Sequence, residues 1–180
     1  MGYNYSMIIK NILSTNELLG LKTVIESEKK RRTVNSIQNI NGVLMEFEND
    51  SFIGIDPGRE MLELFPMPNS VIKSFKMILD NDFFEYFYIG SAYCKYSNRY
   101  GNPKLPMHKD KNPDNVCFDY QLNSNTDWPL IIEDVEYLLE NNSGLYMEPG
   151  IQTHGRPEKI FSDEEYIELL FTFWRKDARV

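Results

Sequence analysis

From about residue 84 to residue 174 the chain is a succession of short apolar and aromatic segments, each closed by turn-forming residues. Phe84 to Ser97, Val116 to Leu122, Leu130 to Glu133, Glu136 to Leu139, Leu145 to Met147 and Tyr166 to Trp174 have the alternating, aromatic or β-branched character of strands. Asn98 to Pro103, Asn112 to Asn115, Asn123 to Asp127, Asn141 to Gly144 and Pro149-Gly150 interrupt them. A run of strands of this kind folds as a sandwich or a barrel.

The first 82 residues are different and read as mainly helical support. Met7 to Leu13 has the look of a short strand. Ser14-Thr15-Asn16-Glu17 has capping-box spacing, and Leu18, Leu21 and Ile25 then recur at helical spacing, so a helix is expected to run to about Lys30. Val43 to Phe47 and Phe52 to Ile55 read as two strands joined through Asn49-Asp50. Asp56-Pro57-Gly58 breaks the chain, and a short helix is expected between it and Pro66. Asn69 or Ser70 is placed to cap a further helix with Ile72, Phe75, Ile78 and Leu79 on one face. The order, helices first and strands later, defines an α+β chain, and 180 residues suit one domain.

Net charge narrows the class of partner. With 27 acidic against 19 basic residues the chain carries −8 at neutral pH, the wrong sign for a surface that tracks phosphates, so nucleic acid and anionic membrane are disfavoured. The one basic run, Lys29-Lys30-Arg31-Arg32, reads as a solvated helix end. Two cysteines, Cys94 and Cys117, make no disulfide framework and lack zinc-finger spacing, so both are expected as buried thiols in a reducing compartment. No apolar run reaches membrane-spanning length and the N-terminus lacks a signal-peptide layout, which points to the cytoplasm.

Only two histidines are present, and both fall in the strand-rich half. His108 lies two residues before Asp110, and side chains two apart on a strand face the same way. His154 follows the Pro149-Gly150 turn and is the only other imidazole available. Two imidazoles and one carboxylate on one face of a metal ion leave three positions open, the facial triad of non-haem Fe(II) oxygenases.

These residues and their surroundings resemble the Fe(II)/2-oxoglutarate-dependent dioxygenases, in a compact, prolyl-hydroxylase-like form. The resemblance covers roughly Phe84 to Trp174. It rests on the stretch from Tyr96 to Asp110, on the stretch from Asp119 to Leu130, and on Glu148-Pro149-Gly150 leading to His154-Gly155-Arg156-Pro157-Glu158. It implies a double-stranded β-helix, a cupin-like jelly roll, with supporting N-terminal helices, and a metal triad of His108, Asp110 and His154. It also implies Fe(II), 2-oxoglutarate and O2 as co-reactants, and hydroxylation of a C–H bond in a small metabolite or a peptide side chain.

One feature departs from the family. Most members carry a basic residue about ten positions after the distal histidine to hold the far carboxylate of 2-oxoglutarate; here that stretch is Asp163-Glu164-Glu165. Arg156 is the first substitute, because it shares a face with His154 if the strand is regular, and Lys159 is the second. Tyr96 matches a tyrosine that donates to the cosubstrate in the family. Tyr93 with Lys95, and Cys94 with Tyr96, face opposite sides of one strand, so only one pair can line a pocket. Tyr93, and Gln121 and Asn123 on the next strand, are candidate substrate contacts, and Trp128 reads as core. Arg99 to Lys104 and Asp134 to Ser143 are candidate rim loops. Two other readings stand beside the oxygenase: a cupin-like iron oxygenase that does not use 2-oxoglutarate, and a jelly-roll binding module without catalysis.

Overall fold

The computed structural model describes residues 7–32, 37–40, 43–48, 51–54, 59–63, 65–80, 85–99, 102–113 and 115–176. The turn expected at Asn49-Asp50, the break at Asp56-Pro57-Gly58 and Tyr100-Gly101 of one rim loop lie outside these residues.

The chain opens with β1 (Ile9–Lys10) and α1 (Thr15–Arg32), followed by β2 (Ile37–Ile40), β3 (Val43–Glu48), β4 (Ser51–Gly54), β5 (Arg59–Glu63) and α2 (Asn69–Leu79). The strand-rich half supplies β6 (Tyr86–Ser97), β7 (Leu105–His108), β8 (Asn115–Ser124), β9 (Leu130–Ile132), β10 (Val135–Tyr137), β11 (Ser143–Met147), β12 (His154–Arg156) and β13 (Tyr166–Lys176). One sheet runs β1-β11-β8-β13-β6-β5-β4-β3-β2 and a smaller one β10-β9-β12-β7. Their pairings are antiparallel, and the second half of the chain passes repeatedly from one sheet to the other. The result is a jelly-roll β-sandwich with helices on one outer face.

Alternation along β8 shows how the layers are built. Val116, Phe118, Tyr120 and Leu122 belong to the core shared with the helices, whereas Cys117 belongs to a second cluster between the sheets with Leu130, Ile132, Leu145 and Met147. Phe75 of α2 meets Phe118 and Tyr120 with ring centroids 5.0 and 5.2 Å apart, and its carbonyl accepts a 2.8 Å bond from the Tyr146 hydroxyl. The capping box forms as expected. Ser14 N–H donates to Glu17 Oε2 at 2.8 Å, and Glu17 N–H donates to Ser14 Oγ at 3.3 Å. Ser74 Oγ also donates to Glu17, at 2.5 Å, which ties α1 to α2.

Several expectations for the first half need correction. Arg59–Glu63 is a strand rather than a helix: these residues are good helix formers, but they pair with Tyr96 through Ala92 of β6, and the long-range ladder overrides local preference. With β2 to β4 it extends the large sheet, so this half contributes strands as well as the expected helices. β2 lies in a stretch without a strand signal, and β1 covers only two of the residues between Met7 and Leu13. Pro68, not Asn69 or Ser70, holds the N-cap position of α2, with no side-chain cap. Lys29 is no solvated helix end either. It is buried, ion-paired to Glu26 at 3.4 Å, with its ammonium 4.6 Å from the Tyr93 ring centre. Cys94 and Cys117 are both buried and not in a disulfide.

Candidate metal centre and its cavity

β7 and β12 are neighbours in the small sheet, and their register sets His154 directly opposite His108. His154 is also opposite Ile132 of β9, so it stands on an interior strand, while His108 stands at the end of an edge strand. β7 stops at His108, short of the expected continuation to Asp110. Asp110 is instead placed by its backbone, whose N–H donates to the Pro149 carbonyl at 2.8 Å. That bond joins the Pro149-Gly150 turn before His154 to the H-x-D segment.

Three side chains thus converge. Asp110 Oδ1 lies 3.4 Å from His108 Nε2 and 3.9 Å from His154 Nε2. One ligand atom from each of the three lies within 4.8 Å of the others. Ligands about 2.0–2.2 Å from a common ion are separated from one another by roughly 3–3.5 Å, so the spacing suits a single metal after small rotations.

The protonation pattern suits it too. His108 Nδ1 is 2.8 Å from the Pro106 carbonyl and His154 Nδ1 is 3.1 Å from the Gln152 carbonyl. A carbonyl can only accept, so each Nδ1 carries a proton, and in the neutral ring that leaves the Nε2 lone pair, on the side of Asp110, for a metal. Burial also pulls the His154 pKa down, against the hydrogen bond to Gln152, which favours the neutral ligand form. His154 is 5% exposed, whereas His108 and Asp110 are each 38% exposed, so the centre is closed on the β12 side and open on the other. Two imidazoles and one carboxylate on one face fit a divalent iron with positions left for other ligands.

The centre opens into a cavity of about 770 Å³ between the sheets, whose wall includes Arg59, Cys94, Tyr96, Asp119, Phe171 and Phe173. The ambiguity on β6 is resolved in favour of Cys94 and Tyr96. Tyr96 is completely buried, edge-on to Trp128 at 4.9 Å, and burial pushes its hydroxyl pKa up to about 12. Tyr93 faces the opposite way, towards α1, and donates to Glu168 Oε1 at 2.8 Å.

The other expected site residues are placed elsewhere. Arg156 is buried at the β12 end of the sandwich, off the cavity wall. Its Nη2 donates to Asp119 Oδ2 at 3.2 Å and its Nη1 to the Trp128 carbonyl at 2.6 Å. Lys159 is held by the Asp127 carbonyl at 2.8 Å, by Glu165 Oε1 at 3.2 Å and by Thr126. Gln121 donates to the Leu139 carbonyl at 2.9 Å and Asn123 to the Tyr166 hydroxyl at 2.8 Å, so neither turns to the cavity. Trp128 is core, as expected, with its Nε1 donating to the Pro157 carbonyl at 2.7 Å.

Sequence reasoning passed over two groups on the wall. Arg59 lay in a segment read as a helix. Asp119 had a signal, because a carboxylate amid an otherwise apolar buried strand requires a partner. Burial pushes the Asp119 pKa up against the opposing pull of Arg156.

No family model and no curated protein sequence matches the chain. Solved structures do. A viral collagen prolyl hydroxylase from Paramecium bursaria Chlorella virus-1, in its 2-oxoglutarate complex, superposes with a TM-score of 0.60 at 11% identity, covering 97% of both chains. The chain has the prolyl hydroxylase fold. A Pseudomonas putida prolyl-4-hydroxylase superposes at 0.57 and 11% identity, covering 97% of this chain and 94% of its own. HygX from Streptomyces hygroscopicus, with nickel, 2-oxoglutarate and hygromycin B bound, superposes at 0.61 and 8% identity, covering 97% and 84%. With the prolyl hydroxylase fold the chain thus combines a His-Asp-His cluster able to hold a metal, placed at the mouth of a cavity. No helix among the described residues is long and apolar enough to cross a membrane.

Proposed function

We propose that residues 1–180 act as one non-haem Fe(II)- and 2-oxoglutarate-dependent oxygenase domain that hydroxylates a C–H bond of a small metabolite or a peptide side chain, in the reducing cytoplasm. The observation that carries this reading is the convergence of His108, Asp110 and His154 on one point, with both Nε2 atoms turned towards Asp110. The strand order supports it. Four strands on each wall, β6-β13-β8-β11 facing β7-β12-β9-β10, favour a double-stranded β-helix over other jelly-roll arrangements.

The division of labour follows from the residues. His108, Asp110 and His154 hold the iron from one side. Bound iron with 2-oxoglutarate supplies the activation of O2 that the side chains cannot. Phe171 and Phe173 make the wall beside the centre apolar and restrict water. The Tyr96 hydroxyl, kept neutral by burial, offers a donor to a cosubstrate oxygen. Substrate has access from the half-exposed side at His108 and Asp110. The overall change converts R–H, O2 and 2-oxoglutarate to R–OH, succinate and CO2.

The experiment is a succinate assay with Fe(II), ascorbate and 2-oxoglutarate against a panel of amino acids and peptides. Succinate formation stimulated by one class of substrate, and absent without iron, supports the reading. Oxygen consumption without succinate would replace it with a cupin-like iron oxygenase, and failure to bind iron would leave a binding module.

A further inference from the structure

We propose that the turn at 148–152 is one clamp for two of the three metal ligands, and that Gln152 is the positioning residue whose side chain closes it; this rests on the metal-centre reading above. Both ends of the turn reach the triad through main-chain carbonyls. The Pro149 carbonyl accepts from Asp110 N–H at 2.8 Å, and the Gln152 carbonyl faces His154 Nδ1 at 3.1 Å. How the turn is closed therefore sets where Asp110 sits and which way the His154 ring points.

Three hydrogen bonds close it. Ile151 N–H and Gln152 N–H both donate to the Glu148 carbonyl, at 3.0 and 2.8 Å. The third comes from a side chain: Glu148 N–H donates to Gln152 Oε1 at 2.7 Å. Without an accepting side chain there, a partly buried donor loses its partner, which favours opening. The turn is also seated on both sides. A Cβ on Gly150 would stand 2.3 Å from the Asn112 carbonyl oxygen and 2.5 Å from Pro113 Cα, so its backbone lies directly on the segment after Asp110. Beyond the turn, Glu133 N–H donates to the Thr153 carbonyl at 2.9 Å and Thr153 N–H donates to Glu133 Oε1 at 2.5 Å. With both flanks anchored, opening the middle displaces the Pro149 and Gln152 carbonyls together. Gln152 supplies no ligand atom and does not line the cavity, so it acts on the metal through geometry alone.

The test uses the whole chain, first free of metal and then with Mn(II). Gln152→Met keeps the length of the side chain and removes the accepting oxygen, whereas Gln152→Glu keeps an oxygen. In metal-free protein, Gln152→Met should speed hydrogen exchange of the Asp110 amide several-fold and turn the single His154 tautomer into a mixture, read by ring-nitrogen NMR. Its Mn(II) affinity should fall by roughly tenfold in calorimetry. Gln152→Glu should restore all three, measured at high salt so that its added charge is screened. Ile151→Ser, at an exposed position of the same turn, should change none of them. If Gln152→Met does not fold, Gln152→Asn, whose oxygen falls one carbon short, gives the same comparison. An unchanged Asp110 amide and His154 tautomer in the folded variant, or a change in one without the other, would overturn the shared clamp and leave the metal centre standing. Wild-type protein that binds no Mn(II) would overturn the metal centre, and the two metal-free readouts would still decide the clamp.

Discussion

His154 stands directly opposite His108 across the β12–β7 pair, with ring centroids 4.4 Å apart. The close approach of these strands depends on Gly155. A Cβ there would stand 2.6 Å from the Leu105 carbonyl oxygen and 3.0 Å from Met107 Cα, contacts that backbone cannot relieve by rotation. Gly155→Ala should therefore push β12 from β7 and spread the two imidazoles. A drop in metal affinity of about tenfold or more is expected, measured by Mn(II) calorimetry, with a lowered melting temperature. Unchanged Mn(II) affinity would show that strand spacing does not set the site.

The Arg156–Asp119 ion pair is expected to matter for folding more than for ligand binding. Both side chains are 1% exposed. Asp119 Oδ1 and Arg156 Nε have no hydrogen-bond partner, so the pair is only just satisfied. Arg156→Met strands a buried carboxylate and should destabilise by about 3–5 kcal/mol in urea unfolding, whereas Arg156→Met with Asp119→Leu should recover much of the loss. A double variant no better than the single one would contradict this.

Acid sensitivity is expected at the joint between the helices. Hydrogen bonds from the Ser14 side chain first, then from Ser74 and the Ser14 backbone, hold the Glu17 carboxyl below its usual value of 4.5. A depressed folded pKa stabilises above the unfolded value, and the contribution is lost as pH falls through the folded pKa. The gap in melting temperature between wild type and Glu17→Gln should be constant near neutral pH and should narrow below pH 4.5. A gap independent of pH down to 3 would show that charge is not what Glu17 contributes.

The His108-Asp110-His154 cluster was legible because such residues are rare in this chain: two histidines leave few combinations, and H-x-D joined to a later histidine is a pattern in residue types alone. The jelly-roll half was legible for a related reason, since alternation and turn residues are local signals. Arg59 was not, because whether R-E-M-L-E forms helix or strand is decided by β6, some thirty residues away. Arg156 is buried like His154, but a register shift between them breaks the regular strand on which a shared face depended, and Asp119 claims its guanidinium. Gln121 and Asn123 turned to Leu139 and Tyr166 for the same reason: partners brought by folding decide what a polar side chain does.

The most direct test is anaerobic Fe(II) titration of the wild-type protein and of His108→Ala, Asp110→Ala and His154→Ala, each checked by circular dichroism for an intact fold. One Fe(II) per chain in the wild type, with binding lost or weakened by at least about a hundredfold in every variant, is the expected result. Fe(II) affinity in folded His154→Ala equal to that of the wild type would contradict the metal centre, and with it the proposed chemistry.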